Sequence, residues 1–242
     1  MKNIFTSLVL LIFLSCQTTK IKNDTYKIAT SSPELGSIGQ SRKNTKQENS
    51  FAVRTLPKLE NKIRITIGIV PFNRKLNKVY KSKARYNQNQ TKVAYIDSLP
   101  KKPELVTIKI LDINGLVSEL NAAHNEDVFR LLRDTENSKI ITSIAVSLSV
   151  DEITKIRQSD AYYLINSQEK KYTIALYKSG KKTDVIDINT ESIVGYQTSR
   201  FCWATNQKRQ WYIADIVEGS TSCNGNTQSS LEDKKSKSLF DM

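Results

Sequence analysis

The chain has 242 residues, with 37 Lys and Arg, 24 Asp and Glu and a single His, for a formal charge of +13. Eight Gly and five Pro exclude a collagenous or low-complexity chain, and three Cys are too few for a disulfide-stapled miniprotein. One His cannot build a multi-histidine metal centre, and the length fits one domain of ordinary size with segments left over.

Met1-Lys2-Asn3 is a short positive start, followed by the apolar run 4–14 (IFTSLVLLIFL) and then Ser15-Cys16. Eleven helical residues span about 16 Å, roughly half the hydrocarbon core, which suits a signal peptide and not a lasting membrane span. No later window approaches the length of a span. Phe13-Leu14-Ser15-Cys16 resembles the bacterial lipobox, with Phe13 where Leu is usual. The resemblance covers residues 1–16 alone. It implies removal of the signal peptide 1–15 and a diacylglycerol on Cys16. Gln17-Thr18-Thr19-Lys20 lacks an acid after the cysteine, which implies the periplasmic face of the outer membrane, or the outer face of the cytoplasmic membrane in a single-membraned source.

Residues 17–61 are polar, with no sustained period, so 16–61 reads as a lipid-anchored flexible tether. As a coil it would reach roughly 35–40 Å. Residues 62–223 read as the globular domain. Strands are predicted over 63–72, 91–97 and 104–112. Asn114-Gly115 punctuates the chain, and a helix follows near 116–123. A second helix opens at Asn125, whose side chain is placed to cap it.

Residues 139–148 form the next strand. Ser149-Val150-Asp151-Glu152 is a capping box, stapled by Leu148 and Ile153. Strands then fall near 161–166, 171–178, 182–188, 192–203 and 209–217, with Ser179-Gly180-Lys181 marking a hairpin. Residues 224–242 read as a disordered tail. The fold class expected is α+β, a single domain with a mixed, largely antiparallel sheet and about three helices.

With Cys16 lipidated, Cys202 and Cys223 remain in an oxidising compartment and are predicted to pair. His124 is the only imidazole and sits where a helix connection is usually solvated. Three Ser-x-x-Lys matches (Ser98–Lys101, Ser167–Lys170 and Ser179–Lys182) fall in turns or strand ends, without the companion motifs of serine acyl enzymes. No carboxylate pair is marked for glycoside chemistry. No metal site and no cofactor is expected.

Phe201, Trp203, Trp211 and Tyr212 cluster on two strands that pair around Asn206-Gln207. Core packing is their ordinary role, and Trp203, Trp211 and Tyr212 are also the candidate partner surface. The basic surplus is uneven. Residues 17–104 hold 19 basic and 6 acidic side chains, whereas 105–242 hold 17 and 18. Arg74, Lys75, Lys78, Lys81, Lys83 and Arg85 concentrate it. In a cytosolic protein such a run suggests nucleic acid, but beside a lipid anchor it suggests lipid headgroups, an anionic envelope polymer or an acidic protein. The function expected is a non-catalytic, lipid-anchored envelope protein acting in binding or assembly. The alternative is an envelope hydrolase using carboxylate or Ser-Lys chemistry.

Overall fold

A computed structural model describes residues 18–28, 33–43, 49–84, 93–98, 100–168 and 171–231. Cys16 and the signal segment lie outside the described residues. Twelve strands form one sheet, all of whose pairings are antiparallel. They are β1 Thr18–Ile21, β2 Asp24–Lys27, β3 Ile38–Lys43, β4 Asn49–Thr55, β5 Ile63–Pro71, β6 Glu104–Ile110, β7 Lys139–Val146, β8 Ala161–Gln168, β9 Lys171–Lys178, β10 Lys181–Asp187, β11 Ile193–Thr205 and β12 Trp211–Glu218. The helices are α1 Arg74–Ala84, α2 Ile113–Asn121, α3 Glu126–Asp134 and α4 Val150–Gln158. The domain is therefore mostly β, with four helices where three were expected and no parallel pairing among the described residues.

The spatial order runs β1-β2-β11-β7-β6-β5-β8-β9-β10, with β12 on β11 and the β3–β4 hairpin joining at β7. The central strand β7 is buried along nearly its whole length, which its near-continuous apolar run requires of a strand covered on both faces. Alternate residues serve two cores. One face carries Val106, Ile108, Ile144, Val146 and Ile193 against Leu116 and Leu120 of α2, Val128 and Leu132 of α3, and Ile153 and Ile156 of α4. The other face carries Leu105, Ala145 and Val194 against Leu76 and Tyr80 of α1 and Ile21 and Tyr26 of the first hairpin.

Several expectations need correction. The described parts of 16–61 are not a tether: they supply four strands, and Leu35, Ile38, Phe51 and Leu59 enter the main core. Gly39 lets β3 cross close to β4, since a Cβ there would stand 2.0 Å from Ala52 O. The described part of the expected tail, 224–231, is not disordered, because Gln228 bridges Trp203 of β11 and Leu231 packs on the core, and the rest of 224–242 lies outside the described residues. No strand forms over 93–98. Instead Val93 and Tyr95 pack beneath α1, and Asp97 accepts from Arg74 Nε at 2.7 Å.

Gly115 is not a break. It lies in the first turn of α2, where its N–H meets the capping Asp112 Oδ1 at 2.8 Å, and a Cβ would collide with that carboxylate. The Ser149–Glu152 box caps α4 reciprocally, as the spacing predicts. Ser179 and Gly180, both at positive φ, turn β9 into β10.

Candidate functional site

Cys202 and Cys223 form a disulfide, with Cα atoms 5.6 Å apart. The bond ties the segment after β12 back to β11. Five residues further on, Gln228 exchanges two backbone hydrogen bonds with Trp203, at 2.8 and 2.9 Å. Because β7 pairs with β11 only as far as Arg200, the edge of β11 beyond that point is covered by 228–231. Between this segment and the α3–β7 connection lies a cleft of about 380 Å³.

Phe201, Trp203 and Leu132 give the cleft an apolar lining, and Arg133, Lys139, Arg200, Ser229 and Ser230 give it polar groups. Lys139 and Arg200 face each other directly across the β7–β11 ladder, an arrangement that is unfavourable for like charges unless an anion compensates. Among the described residues neither has a carboxylate within ion-pair range, whereas Arg133 is paired with Asp134 at 3.2 Å. The Arg200 guanidinium donates to Thr221 O at 2.6 Å, but its Nε is buried without a partner among the described residues. Nearby, burial and then the Lys139 charge hold the Lys27 ammonium below its usual pKa. Among the described residues Glu136 is the one carboxylate lining the cleft.

The aromatic cluster divides. Trp203 is only 4% exposed and stands edge-on to Phe129 of α3 at 5.7 Å, so its side chain is core and not an open platform. Trp211 is half-buried against the same core, and only Tyr212 is substantially exposed, at 40%. The two strands do pair as expected, through Ala204–Tyr212 and Thr205–Trp211. What the sequence does not reveal is the cleft, since Lys139 and Arg200 lie far apart in the chain and meet only through strand register.

The described part of the basic run is helix α1. Leu76 and Tyr80 are buried on one side of α1, while Arg74, Lys75, Lys78 and Lys81 are exposed. Of these, Arg74 is held by Asp97, which also accepts from Tyr95 and lies 3.6 Å from Lys102. For Lys83 only the backbone is described, and Arg85 lies outside the described residues.

His124 is not solvated. Its Nε2 lies 3.0 Å from Glu119 Oε2 and its Nδ1 lies 3.3 Å from Glu60 Oε2. Asn125 does not cap α3 with its side chain; it accepts from Lys58 N and donates to the carbonyls of Lys58 and Glu119. These groups pin residues 58–61 to α2 and α3, which is a structural task. Among the described residues no group of three or more His, Cys, Asp and Glu could hold a metal. Set against protein-family models, curated proteins and solved structures, the chain finds no match.

Proposed function

We propose that the protein is a lipid-anchored component of the bacterial cell envelope that acts by binding, with the β7–β11 cleft as its ligand site. The signal segment and Cys16 support the anchor, and the residues after the cysteine support the periplasmic face of the outer membrane. The reading of the cleft rests on Lys139 and Arg200, opposed across the ladder and without a carboxylate partner among the described residues. A ligand with a carboxylate or phosphate would compensate both charges, and the half-buried Leu231 on the cleft wall is placed to meet an apolar part. The hydrolase reading has no comparable observation behind it: among the described residues Glu136 is the one carboxylate in the cleft lining, and His124 is committed to Glu60 and Glu119.

Photo-crosslinking in the native host tests this. A benzoyl-phenylalanine at Ser230, on the cleft rim, is expected to trap a discrete adduct that disappears in the Arg200→Gln variant at equal abundance. An absence of adducts from both Ser230 and Asn137, in normally accumulated protein, overturns the assignment.

A further inference from the structure

We infer that the face of the sheet bearing α1 and the β1–β2 hairpin is the membrane-apposed face, its outer lysines lying against anionic lipid headgroups. The inference rests on the lipid-anchor reading of Cys16.

Three observations carry it. The first is reach. β1 begins at Thr18, so two residue steps separate Cys16 from the sheet, and they span at most about 7 Å in any conformation. That is about one Debye length, roughly 8 Å at physiological salt, so the anchor keeps the start of the hairpin where a bilayer's charge is still felt.

The second is placement. Ile21 and Tyr26 of the hairpin and Leu76 and Tyr80 of α1 share one apolar cluster on one face of the sheet. Tyr26 and Ser143 of β7 hydrogen-bond at 2.9 Å, and Lys22 Nζ lies over β5, where a Cβ on Gly68 would come within 2.9 Å of it. The β1–β2 hairpin, the first described element after Cys16 in the chain, and α1 are therefore on the same side of the molecule.

The third is charge. α1 holds five basic residues and no acid over Arg74–Ala84, whereas α2, α3 and α4 on the opposite face together hold six acids and four basics. At helical period, Arg74, Lys78 and Lys81 fall opposite Leu76 and Tyr80, with Lys75 beside them. Lys75, Lys78 and Lys81 are exposed and have no ion-pair partner among the described residues, and Lys20 of the hairpin is exposed as well. Since the apolar side of α1 is already buried in the sheet, the contact is electrostatic and α1 does not insert its apolar side as an interfacial helix does.

The test uses the full lipidated protein in vesicles of phosphatidylcholine with phosphatidylglycerol. Acetylation rates of single lysines are read by mass spectrometry, each against itself in detergent. Lys75, Lys78 and Lys81 are expected to label about fivefold more slowly on vesicles, the scale of one basic residue's attraction to an anionic surface. Lys155 of α4 should be unchanged, and the protection should weaken in pure phosphatidylcholine. Equal labelling of both faces on lipidated, vesicle-bound protein overturns this inference and leaves the anchor reading intact. A chain lacking lipid mass at Cys16 overturns the anchor reading, and this inference falls with it. Protection seen only with isolated sacculi assigns the face to cell-wall polymer and overturns the lipid assignment.

Discussion

Glu119 has a side chain only 4% exposed, yet it is ionised among donors: Glu60 N at 2.8 Å, Asn61 N at 3.1 Å, Asn61 Nδ2 at 2.7 Å and the His124 ring. Burial pushes its pKa up, but the donors outweigh burial and hold it below the ordinary carboxylate value. A depressed carboxyl contributes its full stabilisation above the unfolded value of about 4.3 and loses it as pH falls through the folded one. The Glu119→Gln variant is therefore expected to lose about 1–3 kcal/mol at neutral pH. Its acid-side loss of stability should be shallower than that of the parent, as urea titrations at pH 7 and pH 3.5 would show. A Gln variant matching the parent at pH 7 removes this account. In the sequence Glu119 reads as one more polar helix position, because its donors come from residues 60 and 61, which local pattern does not connect to it. Trp203 was partly legible: its ordinary role, core packing, and its cross-strand neighbours could be read, but Phe129, which it meets edge-on, arrives from α3.

Elements specified by neighbouring residues were legible. The Ser149 box, the Ser179-Gly180 turn and the apolar run of β7 each carry their instruction within a few positions. α1 was not, because five cations surround the sparse stripe of Leu76, Val79 and Tyr80, and composition there resembles a solvated loop. β3 and β4 were missed for a related reason: a polar hairpin wins its place by docking on β7 and the main core, not by its own alternation. The disulfide was legible from cysteine arithmetic, but its consequence was not, since it holds one wall of the cleft. Replacing Cys202 and Cys223 by Ser is expected to cost about 3 kcal/mol, the loop-closure value for a segment of this length. Amide exchange should accelerate at Trp203 and Gln228 and stay unchanged in the β9–β10 hairpin. Uniform acceleration would mean that the bond stabilises the whole domain and not this wall.

At the scale of the molecule, the domain boundary at residue 62 was the main error. Ile21, Tyr26, Leu35, Ile38, Phe51 and Leu59 lie before it and are all buried. At about 1.5–3 kcal/mol for each buried side chain, their sum rivals the whole stability of a typical domain, about 5–15 kcal/mol. A chain beginning at Lys62 is thus expected to lack a cooperative thermal transition by circular dichroism, and a transition within a few degrees of the full chain's would contradict this. The opening charge of +13 likewise resolves into layers, basic at α1 and slightly acidic across α2–α4. The strand order has one more consequence, in time. Among the described strands β2 pairs only with β1 and β11, and Lys27 meets its hydrogen-bond partner Thr198 at a separation of 171 residues. The first hairpin made is therefore among the last to find its seat, roughly 10–35 s later at ordinary synthesis rates. Until β11 emerges, β7 through β10 can assemble among themselves, but the hairpin has no strand of that sheet to pair with, so the two ends of the chain are joined last.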